Sequence, residues 1–355
     1  MNTTKAVKNK VYYPPEWHTQ SAVWFAYPHS QRWDAVPYQS GSRLEAIRDF
    51  FSRLIDLVLD FQDVNLIFPN SELLEQTKAK LVKLANKKNN KLQYFIIPNE
   101  DIWIRDYGPF FVYDSEGNKL VKDFTFNAWG EKFPPWDLDD YLPQLIAKQC
   151  GYQVEKHPMI LEGGSLEFNG EDLILTTEQC LLNANRNPAM SQQEIENVLT
   201  SELGVNYIIW LKRGLVGDHT DGHIDDFARF IGPHRLVLCQ ASSSQDPNYQ
   251  HLQESFMQLQ NWKHPETNQA LELITLPLPE PMKIPTVSEP LPCSYANFIF
   301  VNGGLIVPIF KSQYDDEALS ILQKALPERK VIGIDARVLI EEGGGIHCMS
   351  KQEPG

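Results

Sequence analysis

The sequence predicts one α/β domain, a helix–strand–loop–hairpin unit that recurs five times and closes into a ring with pseudo-fivefold symmetry. Three observations predict it. Runs with helical apolar spacing alternate with short runs rich in Val, Ile, Leu and Phe. Each strand that follows a helix leads to a loop and then to two strand-like runs around a turn. The order returns with its helices roughly 50–70 residues apart. The repeat lies in element order and not in residue identity. No low-complexity tract or long linker interrupts it, so residues 1–355 read as a single domain, with the polar first ten or so residues loose.

The first unit opens with the helix "SELLEQTKAKLVKLANK" (71–87), which has a Ser–Glu start. The strand "LQYFIIP", the loop "NEDIWIRDYGP" and the pair "FFVYD"/"LVKDFTF" follow. In the second, helix "LDDYLPQLIAKQCG" leads to strand "YQVEKH", loop "LEGGS" and a hairpin turning at Asn169–Gly170. The third runs through "SQQEIENVLTSELG", "YIIWL" and the loop "GDHTDGHIDD" to the pair "FARFI"/"RLVLCQ". The fourth is "YQHLQESFMQLQNW", "ELITLPL", a Pro-rich loop, and "ANFIFV"/"GLIVPIF" around Asn302–Gly303. The fifth, "YDDEALSILQKALP" and "KVIGID", ends in the loop "GGGIHC" and has no hairpin of its own. The N-terminal strand "AVWFAYP" is the piece that can complete it and close the ring. We assign no element between that strand and residue 71. In a ring, the equivalent loops converge at the centre and bring the end of the chain inside.

Composition narrows the function. A hydrophobic content of 42% suits a globular protein. No apolar run approaches the ~20 residues needed to span a bilayer, and the N-terminus lacks the apolar stretch of a secretory signal. The cytoplasm is the expected location. The net charge of −14 argues against nucleic acid or an anionic membrane as partner and is compatible with a cationic small substrate. The five cysteines are odd in number and form no CxxC, so neither a disulfide framework nor a thiolate zinc site is suggested. Cys150, Cys180, Cys239 and Cys293 stand in apolar contexts and read as small buried hydrophobes. Cys348 differs, with glycines and a histidine as neighbours.

Four of the five loops carry reactive groups. In "GDHTDGHIDD", His223 and Asp225 are one residue apart and point the same way in extended backbone. A catalytic histidine beside a carboxylate, a metal site and a solvated acidic loop are all open readings. The lack of an HExxH-like ligand pair weighs against metal. In "EDIWIRDYGPFF", Arg105 and Asp106 could form no more than a surface ion pair. "LEGGS" sets Glu162 before two glycines, and the plain alternative is a tight bulge with a solvent-facing glutamate. In "GGGIHC", Gly344 and Gly345 leave room beside the Cys348 sulfur and expose backbone N–H groups. His347 adjoins Cys348 but faces the other way on a strand, so the distant His223 is the better base. If the loops meet, they supply a thiol, an imidazole and several carboxylates. Carboxylates hold a planar guanidinium well through paired, charge-assisted hydrogen bonds.

At these residues the chain resembles the agmatine deiminase family, related to the bacterial peptidylarginine deiminases within the guanidino-group-modifying superfamily. The matching stretches are "DIWIRDYGPF", "FTFNAWGEKF", "LEGGSLEFNGEDLILTTEQCLLNANRNP", "GDHTDGHIDDFARF" and "GGGIHCMSKQ". The resemblance implies a five-bladed α/β propeller forming a single catalytic domain with the active site at its centre, and no metal or cofactor. It implies Cys348 as nucleophile and His223 as general acid/base, with Asp106 and Asp225 gripping the guanidinium. Glu162 would stand near the histidine, and Trp103 would pack the substrate stem. Many members have Asn where this chain has Gly345. The implied partner is a cationic guanidino small molecule, with agmatine the first choice; homo-oligomerisation stays open. A peptidylarginine deiminase, another guanidine deiminase, an amidinotransferase and a non-catalytic guanidine binder remain as alternatives.

Overall fold

The computed structural model describes residues 11–29, 37–38, 41–86, 88–284 and 289–355. The first ten residues and part of the Pro-rich loop after Leu278 lie outside the described residues.

Two of the longer helices frame the start of the chain: α1 (Arg43–Val58) and α2 (Ser71–Ala85). The others are α3 (Asp137–Cys150), α4 (Gln192–Leu203), α5 (Tyr249–Asn261) and α6 (Asp315–Ala325). Local chemistry explains their ends. Ser191 and Glu194 form a reciprocal capping box on α4, which stops at Gly204 in the left-handed conformation. The cap of α2 is Asn70, whose side chain accepts the Leu73 N–H, and not the Ser–Glu pair read from the sequence. The unassigned stretch before residue 71 holds α1, capped by Ser42 with Glu45, and the strand Asp63–Phe68. Buried Ile47, Phe50, Phe51, Leu54 and Val58 give α1 its apolar face.

The strands group into sheets of one recurring pattern, an antiparallel pair plus a parallel strand reached across a helix. Phe110–Asp114 pairs antiparallel with Lys119–Thr125, which pairs parallel with Gln153–Ile160 across α3, and Val11–Tyr12 borders the other edge. Glu167–Phe168, Leu173–Thr177 and Tyr207–Leu211 repeat this around α4. Ala228–Gly232, Arg235–Gln240 and Glu272–Pro277 repeat it around α5. Ile299–Val301, Gly304–Ile309 and Lys330–Asp335 repeat it around α6. In the remaining large sheet the C-terminal strand Lys351–Pro354 pairs antiparallel with Gln20–Ala26. Gln20–Ala26 then pairs parallel with Asp63–Phe68, and that strand with Leu92–Ile96. So the hairpin missing from the fifth unit is assembled from the two ends of the chain. A short ladder also links Pro37–Tyr38 to Gly41–Ser42.

Helices cover the sheets and bury a continuous apolar core that includes Trp24, Phe50, Phe227 and Phe298. A second cluster, with Phe110, Ile174 and Leu199, lies beneath the sheets on either side of Glu162. Among the described residues no helix is long and apolar enough to cross a membrane.

Candidate active site

Four of the loops meet around a cavity of about 180 Å³ lined by Trp103, Asp106, Trp129, Asp226, Gly344 and Cys348, among others. The closeness of the approach is measured at Gly164. A Cβ there would lie 2.7 Å from His223 Nδ1, 2.8 Å from Asp106 Oδ1 and 3.0 Å from Asp225 Oδ2. Only glycine lets the "LEGGS" backbone pass so near three side chains. His223 and Asp225 do converge, but not by extended alternation, because Ile224–Asp226 forms a 3₁₀ turn.

Cys348 is 8% exposed. Its Sγ faces Asn297 Nδ2 at 3.3 Å and the Gly345 N–H at 3.4 Å. Burial, followed by the charges of Asp225, Asp226 and Asp106, pushes its thiol well above the ordinary range; the Gly345 N–H works the other way. These surroundings favour the neutral thiol over the thiolate.

Asp106 is buried and doesn't pair with Arg105, contrary to the surface ion pair left open above. Trp129 Nε1–H donates to its Oδ2 at 2.8 Å and the Gly164 N–H to its Oδ1 at 2.9 Å. His223 Nδ1 stands 3.7 Å from Oδ1. Burial raises the carboxyl to about 6; His223 opposes this, and Asp225 and Glu162 add to it. Arg105 instead reaches the end of the chain, donating to Gln352 Oε1 at 2.6 Å and Glu16 Oε1 at 2.9 Å.

Asp225 is fully buried, and its Oδ2 lies 2.6 Å from His347 Nδ1. Burial pushes this carboxyl up, but the His347 hydrogen bond and the charges of His347, His223 and Arg229 outweigh it and hold it low. Its Oδ1 is buried without a partner. Residues 346–349 form a turn and not the strand expected, and both ring nitrogens of His347 are taken, Nδ1 by Asp225 and Nε2 by Glu16 at 2.7 Å.

Burial opposes charge on His223, yet Asp106, Cys180 and Glu162 outweigh it and hold the imidazole well above its usual range. Glu162 is fully buried, not solvent-facing, and its Oε1 accepts from Arg186 Nε at 2.5 Å. Among the described residues, two groups could offer donor atoms to a metal, Glu162–Cys180–His223 and Asp225–Asp226–Cys348, each set within 4.8 Å. Cys180, read as a small hydrophobe, is therefore also a neighbour of the histidine.

The glycines before Cys348 act differently from the expectation. A Cβ on Gly344 would meet the Trp103 ring at 2.5 Å, so the bare glycine backbone makes room for Trp103 at the cavity wall. A Cβ on Gly345 would fall 2.1 Å from Asn297 Oδ1. The room beside the sulfur at Gly345 is filled by Asn297, not left for a ligand.

Residues 12–354 match the family described as Porphyromonas-type peptidyl-arginine deiminase. The chain belongs to this family. An agmatine deiminase of Stutzerimonas stutzeri is 34% identical over 369 residues, covering 97% of this chain and 95% of that protein. Among solved structures, the C. jejuni agmatine deiminase with substrate bound is 35% identical, with a TM-score of 0.85 over 97% of this chain and 96% of that one. The Enterococcus faecalis agmatine deiminase is 28% identical, with a TM-score of 0.87 over 97% and 96%.

For this deiminase-family chain the site includes residues that motif reading did not single out. Asp226 has a weak signal, as the second acid of "HIDD". Trp129 lies within "FTFNAWGEKF". Asn297, in "SYANF", has none, and only the fold brings it to Cys348.

Proposed function

We propose that this chain is an agmatine deiminase, a hydrolase of a linear amidine C–N bond. It would convert agmatine and water to N-carbamoylputrescine and ammonia. We further infer that it forms one catalytic domain, a five-bladed α/β propeller with this cavity at its centre. The observation that carries the functional reading is a single cysteine at the cavity wall ringed by Asp106, Asp225 and Asp226. Carboxylates that disfavour the thiolate in the empty site favour a guanidinium in the occupied one.

Asp106 and Asp225 would hold the guanidinium nitrogens with the central carbon over Cys348. The substrate's positive charge then offsets the acidic field, and the thiol releases its proton to solvent to give the thiolate, the reactive form. The thiolate attacks the carbon, and His223, kept protonated by its anionic neighbours, gives a proton to the departing ammonia. A covalent thiouronium remains. His223, now neutral, activates the water that attacks the same carbon and releases the ureido product. General acid–base catalysis of this kind contributes ~10²–10⁴-fold.

The family description keeps peptidyl-arginine as a second reading. Cys348 at 8% exposure, behind a cavity of about 180 Å³, favours a small guanidine over a protein side chain. The test is a substrate panel of agmatine, free arginine, arginine peptides and methylated arginines, scored for ammonia and ureido product. Preference for arginine peptides would overturn the choice of agmatine. No ammonia from any of them would leave a guanidine-binding protein.

A further inference from the structure

Glu162 and His223 arrive from different loops, and one buried cation joins those loops. The Arg186 side chain is fully buried. Its Nε–H donates to Glu162 Oε1 at 2.5 Å. Nη1 donates to Asn185 Oδ1 at 2.7 Å and to Asp221 Oδ2 at 2.9 Å, and Nη2 to the Thr220 carbonyl at 2.9 Å. A planar fork with five N–H donors can make all four bonds at once; an ammonium cannot.

What the fork holds leads directly to the histidine. Asp221 adopts a φ of 70°, unfavourable for a residue with a Cβ, and its carboxylate is tied to Arg186, Asn185 and Lys132. Gly222 and His223 follow, their N–H groups both bonded to Asp218 Oδ2. On the other side, Glu162 is 0% exposed, and its second oxygen has no partner. A carboxylate so buried needs a counter-charge to hold its place, and Arg186 supplies it.

We propose that Arg186 is a positioning residue for deimination, which holds the Glu162 carboxylate beside His223 and pins the loop that carries the histidine. The role rests on the reading in which His223 transfers protons. The groups that face His223 include Asp106, Glu162 and Cys180, with the Asp225 and Asp226 carboxyls also close enough to act on it, and Asp106, Asp225 and Asp226 remain when Arg186 is removed. Loss of Arg186 therefore weakens the histidine's charge without abolishing it.

The experiment compares Arg186→Met, Arg186→Lys, Glu162→Gln and the Arg186→Met/Glu162→Gln pair for kcat, KM and pH profile on agmatine. Arg186→Met should lower kcat by about tenfold or more and change KM less, since a hydrogen bond to a charged group is lost. The limb of the profile that reports His223 should move to lower pH. Glu162→Gln should move it the same way, and the pair should be no worse than the worse single change, because both remove one linkage. Arg186→Lys keeps the charge but not the fork and should fall between. Additive penalties in the pair, or an unmoved kcat and pH limb in folded Arg186→Met, would overturn the proposal. If Arg186→Met does not fold, Arg186→Lys decides. A lowered melting temperature with unchanged kcat and profile would then mean that Arg186 serves only the fold. Cys348→Ser is the control for the underlying reading: turnover surviving there sinks deimination through Cys348 itself, whereas turnover lost there alongside additive penalties sinks only the role of Arg186.

Discussion

Asn297 Nδ2 stands 3.3 Å from Cys348 Sγ, and the same carboxamide accepts the His347 N–H at 2.9 Å and donates to Asp226 at 2.9 Å. The nucleophile's loop is thus registered by a residue from the loop that leads into the preceding hairpin. That registration needs a glycine at 345, where a Cβ would overlap Asn297. Gly345→Ala should displace Asn297, lower melting stability by about 1–3 kcal/mol as overpacking does, and reduce kcat. Full activity with an unchanged melting temperature would mean that the carboxamide shifts freely and does not set the sulfur.

Cys348→Ser should abolish ammonia release yet leave the fold and guanidine binding intact, because a hydroxyl lacks the thiolate's nucleophilicity. Cys150, Cys239 and Cys293 should tolerate Ala with a loss of stability at most. Calorimetric binding of agmatine to the serine variant, beside its turnover, checks both halves. Turnover near the parent's level would sink the mechanism.

Much of this site could be read before any coordinates. The four loops announce themselves through Gly-flanked or alternating acids, histidine and cysteine, and the capping box of α4 marks its start in plain sequence. Helix α1 carries an equal signal in Ser42 and Glu45, so its start too is written in local sequence. Glu16 and Asn297 are different. Each is an ordinary polar residue in an ordinary stretch, and its importance comes from partners 51 and 331 positions away. No local pattern encodes such a meeting.

Asp106→Asn removes a charge and can turn an N–H toward a guanidinium that only donates. A hydrogen bond between charged groups contributes about 1.5–3 kcal/mol, and the mismatch adds to the loss, so kcat/KM should fall by at least about a hundredfold. Asp221→Asn should do much less, since Asp221 contacts Lys132, Asn185 and Arg186 and is not a wall of the cavity. Equal losses in steady-state assays of the two variants would mean that the guanidinium is held elsewhere.

The same carboxyl sets a pH limb. Asp106 is raised to about 6, and only its charged form holds a cation. Protonation as pH falls through about 6 removes the acceptor, so kcat/KM for agmatine should decline on the acid side of that value. The limb belongs to kcat/KM because that constant reports the free enzyme. Asp225, held low by His347, stays charged across this window and contributes no limb there. A kcat/KM profile flat from pH 7 to 5 would contradict the assignment.

The residues after Cys348 should matter as much as the sulfur's own loop. Lys351–Pro354 is a buried strand paired with Gln20–Ala26, and Glu353 is its anchor. The Glu353 carboxylate accepts from Trp24 Nε1 at 2.8 Å, Lys119 Nζ at 2.9 Å and the Tyr152 hydroxyl at 2.5 Å, so it ties two sheets to the chain's end. Arg105, beside Asp106, grips Gln352, and its backbone N–H bonds the Cys348 carbonyl at 3.0 Å. Slack in this strand therefore reaches both the nucleophile and the guanidinium carboxylate. Glu353→Ala leaves Lys119 facing a buried gap, and breaking a buried pair on one side costs about 3–5 kcal/mol. Deleting residues 350–355 removes the strand altogether and should cost more, with activity lost together with the melting transition. Glu353→Gln keeps the acceptor for Trp24 and should be intermediate. Thermal melts and agmatine turnover on the three variants give the comparison. A truncated protein that melts and turns over like the full chain would show that the ring of contacts holds without its last strand.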